Sequence, residues 1–113
     1  MPGTYYVYVL ECSNGRLYTG YTVDLKKRFN EHASALKGAK FTRSFKPRKI
    51  IASWQITGSR GDAMKVEAYI KSLPKTEKVI ITGNPGTLPD RIRNVKEIGC
   101  EIAVYDYDNL ILK

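Results

Sequence analysis

The sequence has no long apolar run, few cysteines and almost no acid over residues 16–49, and each shortage removes a class of protein. No stretch of the 113 residues approaches the roughly 18 to 20 apolar residues of a membrane-spanning helix. No signal-peptide pattern opens the chain either. Cys12 and Cys100 stand far apart, without a CxxC pair or a histidine-rich partner. That spacing argues against a zinc centre and against a disulfide framework. Buried free thiols in a reducing compartment account for them better. There is no internal repeat and no low-complexity tract. The reading is of one folded domain, or one domain with a tail, in an intracellular protein: cytoplasmic, or nuclear in a eukaryotic or viral setting. No membrane association is expected.

The shortage of acid is also an excess of base. Between Arg16 and Lys49 ten lysines and arginines face two acids, Asp24 and Glu31, and this segment carries the whole net charge of +8. A concentrated basic patch suits a polyanion, most often nucleic acid. Charge alone supports a merely solubilising surface equally well.

Residues 5–11, YYVYVLE, are β-branched and aromatic and read as a strand. Ser13-Asn14-Gly15 supplies hairpin chemistry, and 16–21, RLYTGY, forms the return strand. A helix follows over about 24–36, capped by Asp24, with Leu25, Phe29, Ala33 and Leu36 on its core face and Gly38 past its end. A basic loop leads to a third strand at 49–57 and a second helix at about 61–73. Pro74 opens a short third helix. Residues 82–89 read as loop, 89–98 as a short helix ended by Gly99, and the last residues as a hairpin around 106–109. The order β-β-α-β-α-α implies a small α+β domain: a three-stranded antiparallel sheet flanked by helices, plus a C-terminal extension.

Two helices carry charge where core is expected. At about 100° per residue His32 falls inside the apolar stripe of the first helix and Arg28 at its margin. In the second, Glu67 projects among Ala63, Val66, Ile70 and Leu73. A glutamate at a stripe's edge ordinarily snorkels or pairs with a lysine or arginine, because a buried lone carboxylate is costly. Opposite charges directed inward from two helices could instead converge beside the sheet. The strands add Tyr6 and Tyr8 on one face and Tyr18 before Gly20, a glycine that suggests close backbone approach. Tyr, Tyr, Arg, His and Glu make no serine or cysteine triad, but they suit phosphodiester hydrolysis. Arginine can brace a five-coordinate phosphorus, a carboxylate can hold a hard divalent metal, and a phenol near cations can activate water.

YVY at 6–8, YTG at 18–20, DLKKRFNEH at 24–32, KGAKFTR at 37–43 and AMKVEAYIKSL at 63–73 together resemble the GIY-YIG nuclease superfamily. The likeness is strongest to its small single-domain branch, which is similar to the catalytic domain of structure-specific endonuclease subunits. The resemblance runs from about residue 4 to 82 and implies a nuclease domain there; residues 83–113 lie beyond it, an extension open to three roles: completing the sheet, covering the site or making a dimer contact. It implies a metal-dependent DNA endonuclease working in DNA repair or recombination. By motif position, Tyr8 is the general base for water, Tyr18 bonds the phosphate or nucleophile, and Arg28 steadies the scissile phosphate. His32 assists proton movement or orients a tyrosine, and Glu67 holds Mg²⁺ or Mn²⁺. Tyr-Val-Tyr and Tyr-Thr-Gly replace the family's Gly-Ile-Tyr and Tyr-Ile-Gly, which alters packing more than chemistry. The family's asparagine has one nearby counterpart, Asn84.

Lys26, Lys27, Lys37, Lys40, Arg43, Lys46 and Arg48 are the DNA-binding candidates, with Phe41 available to stack on an unpaired base. The partner is DNA, whether single-stranded, duplex or branched, and a protein partner or homodimer stays open. Two other readings compete: a nucleic-acid-binding module that does not cleave, and a nuclease subunit that needs a partner domain.

Overall fold

Alternation shapes the first hairpin. In the computed structural model, which describes residues 3–12, 15–34, 47–95 and 97–105 (without the side chains of 31–34, 47 and 48), strand β1 runs Gly3–Cys12 and β2 runs Leu17–Thr22. They pair antiparallel with Tyr8 opposite Gly20 and Leu10 opposite Tyr18. Gly15 closes the turn at φ +80°, its N–H donating to the Cys12 carbonyl at 2.8 Å. A side chain is strained at that φ, which is what glycine supplies here.

Asp24 then starts helix α1, Leu25–Ser34: its carboxylate accepts from the Lys27 N–H at 3.0 Å and its carbonyl from Arg28 N–H. The expected continuation to residue 36, the stop at Gly38 and the basic loop lie outside the described residues. Strand β3, Pro47–Gly58, is followed by α2, Arg60–Ser72, α3, Lys75–Gly83, and α4, Thr87–Ile92, and strand β4, Glu101–Val104, comes last. Pro74 stands one residue before α3 as its cap. The expected helix over 89–98 is shorter and earlier, since Gly86 leads straight into α4.

Among the described residues the sheet has four strands, not three. Its order is β2-β1-β3-β4, all antiparallel, with Trp54 opposite Val104 and Ile56 opposite Ile102. EIAVYDYD reads locally as half of a hairpin, but its first four residues, Glu101–Val104, pair with a strand some fifty residues back. Which strand it joins is decided by the free edge of β3, a nonlocal choice that alternation does not encode. The turn and return strand expected around 106–109 lie outside the described residues.

The two faces of the sheet are covered differently. Val7, Val9, Ala52, Trp54 and Ile56 pack beneath Val66 and Ile70 of α2, Ile81 of α3 and Leu88 and Ile92 of α4. On the opposite face Tyr8, Leu10 and Ile50 meet Leu25 of α1, ringed by Tyr6, Tyr18, Phe29 and Tyr105. A register shift between Val9 and Leu10 inserts one residue in β3, which turns Ile50 to the face opposite Ala52. The segment after α3 joins both cores. Trp54 donates its indole N–H to the Pro85 carbonyl at 2.9 Å, and Tyr105 packs on Tyr6 with ring centroids 4.7 Å apart. Cys12 and Cys100 are free thiols, both titrating higher than usual, chiefly because of burial.

Candidate active site

One cavity of about 380 Å³ opens where α1, α2 and the edge strand β2 come together. Tyr8 from β1, Tyr18 and Gly20 from β2, Arg28 from α1 and Glu67 from α2 all line it. The two inward-directed charges are thereby brought to one place: the helices cover different faces of the sheet, and each sends its charged side chain to the cavity at the β2 edge.

Tyr8 is 2% exposed, and its phenol lies over the backbone of Gly20, its cross-strand partner. A methyl group on Gly20 would stand 2.6 Å from the Tyr8 hydroxyl oxygen and 2.8 Å from its Cζ. The glycine of YTG is thus the recess that receives the phenol. Tyr18 lies beside it, ring centroids 6.5 Å apart. Burial, then the charge of Glu67, raise the Tyr18 pKa, and Arg28 acts against them. The phenol accordingly keeps its proton at neutral pH and stands as a hydrogen-bond donor. Both charged groups act on the same ring.

Glu67 stands at the edge of the apolar face of α2, next to Ala63, Val66 and Ile70, which are completely buried. Its carboxylate sits 3.4 Å from the Lys71 ammonium one turn on, with the lysine 53% and the glutamate 20% exposed. The ordinary pairing of an edge glutamate is therefore present, and it coexists with the cavity. Among the described residues no three His, Cys, Asp or Glu side chains cluster to hold a metal ion. One hard carboxylate on a polar, open wall fits magnesium or manganese, which take one or two protein carboxylates and complete their shell with water and phosphate oxygens.

His32 belongs to α1, one turn beyond Arg28, but its side chain lies outside the described residues. Lys26 and Lys27 are exposed on α1. Lys37, Lys40, Phe41, Arg43 and Lys46 fall outside the described residues, as does the side chain of Arg48 in β3. Asn84 is exposed at the end of α3 and does not line the cavity.

Tyr5, Tyr21, Thr22, Val23 and Arg60 also line the cavity, and none was singled out by sequence. The strand tyrosines carry no signal that separates them from packing residues. Arg60 carries one: it occupies the first turn of α2, where the helix dipole disfavours a cation.

Fold and lining together define an α+β domain that holds tyrosines, an arginine and a carboxylate around an open polar cavity at a sheet edge. The chain belongs to the GIY-YIG family: the model of the GIY-YIG catalytic domain matches residues 4–79. This is in general a nuclease domain, with nucleic acid as its ligand and a divalent metal as its typical cofactor. The chain is 44% identical over 81 residues to a UPF0213 protein of Syntrophus aciditrophicus, covering 71% of this chain and 92% of the relative. A UPF0213 protein of Fusobacterium nucleatum is 42% identical over 94 residues, 83% and 92% of the two chains. The solution NMR structure of a UPF0213 protein from Bacillus halodurans is 40% identical and covers 76% of this chain and 93% of that one, with a TM-score of 0.45. The name UPF0213 assigns these relatives no activity. Among the described residues no helix is long and apolar enough to cross a membrane.

Proposed function

We propose that this chain is a metal-dependent DNA endonuclease that hydrolyses phosphodiester bonds, with residues 4–82 as its nuclease domain. The observation that carries the reading is the convergence of Tyr8, Tyr18, Arg28 and Glu67, from four separate elements, on one cavity. Binding alone has no use for a carboxylate facing a polyanion, so Glu67 favours cleavage over a binding-only module.

In this reading Arg28 takes the scissile phosphate and offsets the charge that builds as phosphorus becomes five-coordinate. Tyr18, its proton retained by burial and by Glu67, donates to a phosphate oxygen or to the water nucleophile. Tyr8, next to it and acting as the phenolate, takes the proton of the attacking water and becomes the phenol; the water oxygen bonds to phosphorus as the bond to the 3′-oxygen breaks, and the leaving oxygen takes a proton from solvent. Glu67 would hold Mg²⁺ or Mn²⁺, which when bound supplies Lewis-acid stabilisation of the attacked phosphate and the leaving oxygen. His32, one turn from Arg28, orients a tyrosine or moves a proton. Lys26, Lys27 and the cations of residues 37–48 neutralise flanking phosphates, with Phe41 stacking on a base. The extension closes the β3 edge of the sheet, and a DNA repair or recombination role fits such an enzyme.

The test is cleavage of single-stranded, duplex and branched DNA with Mg²⁺ or Mn²⁺ by the wild type, Glu67→Ala and Arg28→Ala. Both variants should lose at least about a hundredfold in rate, the scale of removing one transition-state contact. Equal cleavage by all three sinks the assignment. Metal-independent binding with no cleavage of any substrate favours the binding module, and activity that appears only with an added protein favours a subunit.

A further inference from the structure

We propose that Arg60, held by Tyr21, is a second phosphate-binding position that receives a backbone phosphate flanking the scissile one. The inference rests on the nuclease reading for where the scissile phosphate lies. It goes beyond that reading by naming a substrate-positioning residue outside the motifs.

Four observations carry it. Arg60 lines the same cavity as Arg28 and Glu67, but from the other side of the β2 edge, beside Tyr5 and Tyr21. These two tyrosines pack with the core beneath α2, whereas Tyr8 and Tyr18 pack with α1. A nucleic-acid strand that crosses the edge of β2 thus passes from one arginine to the other. The Arg60 guanidinium is also oriented: its Nε donates to the Tyr21 hydroxyl at 2.9 Å. Among the described residues its two terminal nitrogens have no hydrogen-bond or ion-pair partner, so a fork suited to a phosphate is left outward.

The residue also stands against local preference. It is the first residue of α2, where a carboxylate would be favoured and a cation is not. Two N–H groups at that helix start, those of Ser59 and Asp62, are taken by the cap. Ser59 accepts from Asp62 N–H at 3.1 Å, and Asp62 accepts from Ser59 N–H at 2.9 Å. Gly58 is needed for this cap, because a methyl there would collide with the Asp62 carboxylate. The cap leaves the Arg60 side chain as the charged donor that an anion meets at this rim.

The measurement is equilibrium binding of labelled single-stranded and duplex DNA by the full chain in EDTA, titrated over salt, for wild type, Arg60→Ala, Arg60→Lys and Tyr21→Phe. Steady-state cleavage with Mg²⁺ or Mn²⁺ accompanies it. Arg60→Ala should weaken binding about five- to tenfold and flatten the log K against log salt slope by about 0.9 on duplex or 0.7 on single strands, one phosphate's worth. In cleavage KM should rise with kcat nearly unchanged. Arg60→Lys should recover the salt slope but only part of the affinity, and Tyr21→Phe should lose about twofold while keeping the slope. Arg60 is exposed and alanine suits a helix start, so circular dichroism should find the variant folded.

An Arg60→Ala variant with wild-type affinity and slope overturns the proposal, and so does one that loses kcat at constant KM. A wild type that binds no DNA overturns it as well. A wild type that binds but never cleaves overturns the nuclease reading instead, and the Arg60→Ala affinity still decides the phosphate position.

Discussion

Replacing Gly20 with alanine tests how Tyr8 is held. The added methyl would lie 2.6 Å from the phenol oxygen and 2.8 Å from Cζ, about 1 Å inside the usual contact distance of roughly 3.5–4.0 Å. Tyr8 is only 2% exposed, so the ring has no solvent to retreat into. Either it shifts by about an ångström or β2 moves away from β1. Overpacking of this kind costs about 1–3 kcal/mol. The sign is informative, because Gly→Ala at an unstrained position stabilises by roughly 0.4–1 kcal/mol through the unfolded chain. Among the described residues only Gly15 has a positive φ, so strain at Gly20 is not the source of the loss. Moving a reacting group by about 1 Å costs on the order of a hundredfold in rate. Urea unfolding followed by circular dichroism gives the stability, and cleavage at saturating DNA gives the rate. In a Tyr8→Ala background only the 3.3 Å approach to Tyr18 Cε1 remains, so most of the alanine penalty should vanish and the cycle should show a coupling of about 1–3 kcal/mol. Gly20→Ala with wild-type midpoint and rate would refute the packing argument, and a penalty that persists without the phenol would refute its cause.

The Lys71–Glu67 contact is an exposed i,i+4 pair, worth about 0.3–0.5 kcal/mol; Lys71→Ala should therefore tighten Mn²⁺ binding about twofold by calorimetry, and Glu67→Gln should abolish it. The folded chain holds the Tyr18 proton more tightly than the unfolded chain does, owing to burial and then Glu67. Its contribution to stability is whole below about pH 10 and is lost as pH rises through the folded value. In a tyrosinate absorbance titration Glu67→Gln should move this component down and Arg28→Ala should move it up. Trp54→Phe removes the bond to the Pro85 carbonyl and leaves a void, costing about 1–3 kcal/mol. Faster amide exchange should spread through 84–105, measured by hydrogen exchange.

Much of the site was legible because local rules were broken in the sequence. Arg28 at the margin of an apolar stripe and Glu67 between core positions were conspicuous, and Tyr8, Tyr18 and Gly20 followed strand periodicity. The roles proposed for them come from family motifs, and periodicity alone does not assign them. Tyr5 and Tyr21 were illegible, since a strand tyrosine that lines a cavity and one that only packs have the same sequence signature. Arg60 lay between: its place at a helix start is anomalous, but its bond to Tyr21 joins residues 39 apart.

The sequence by itself determined the local elements. Alternation set the strands of the hairpin, Asp24 and the Ser59–Asp62 pair set the starts of two helices, and the apolar stripes set which helix faces turn inward. These depend on neighbours within a few positions, where side-chain chemistry acts directly. The tertiary structure decided the fourth strand's place beside β3, the bulge that turns Ile50 to the α1 face, and the meeting of Arg28, Arg60 and Glu67 at the β2 edge. Such choices depend on which surfaces remain unpaired after the local elements have formed, and that is a property of the whole packed chain.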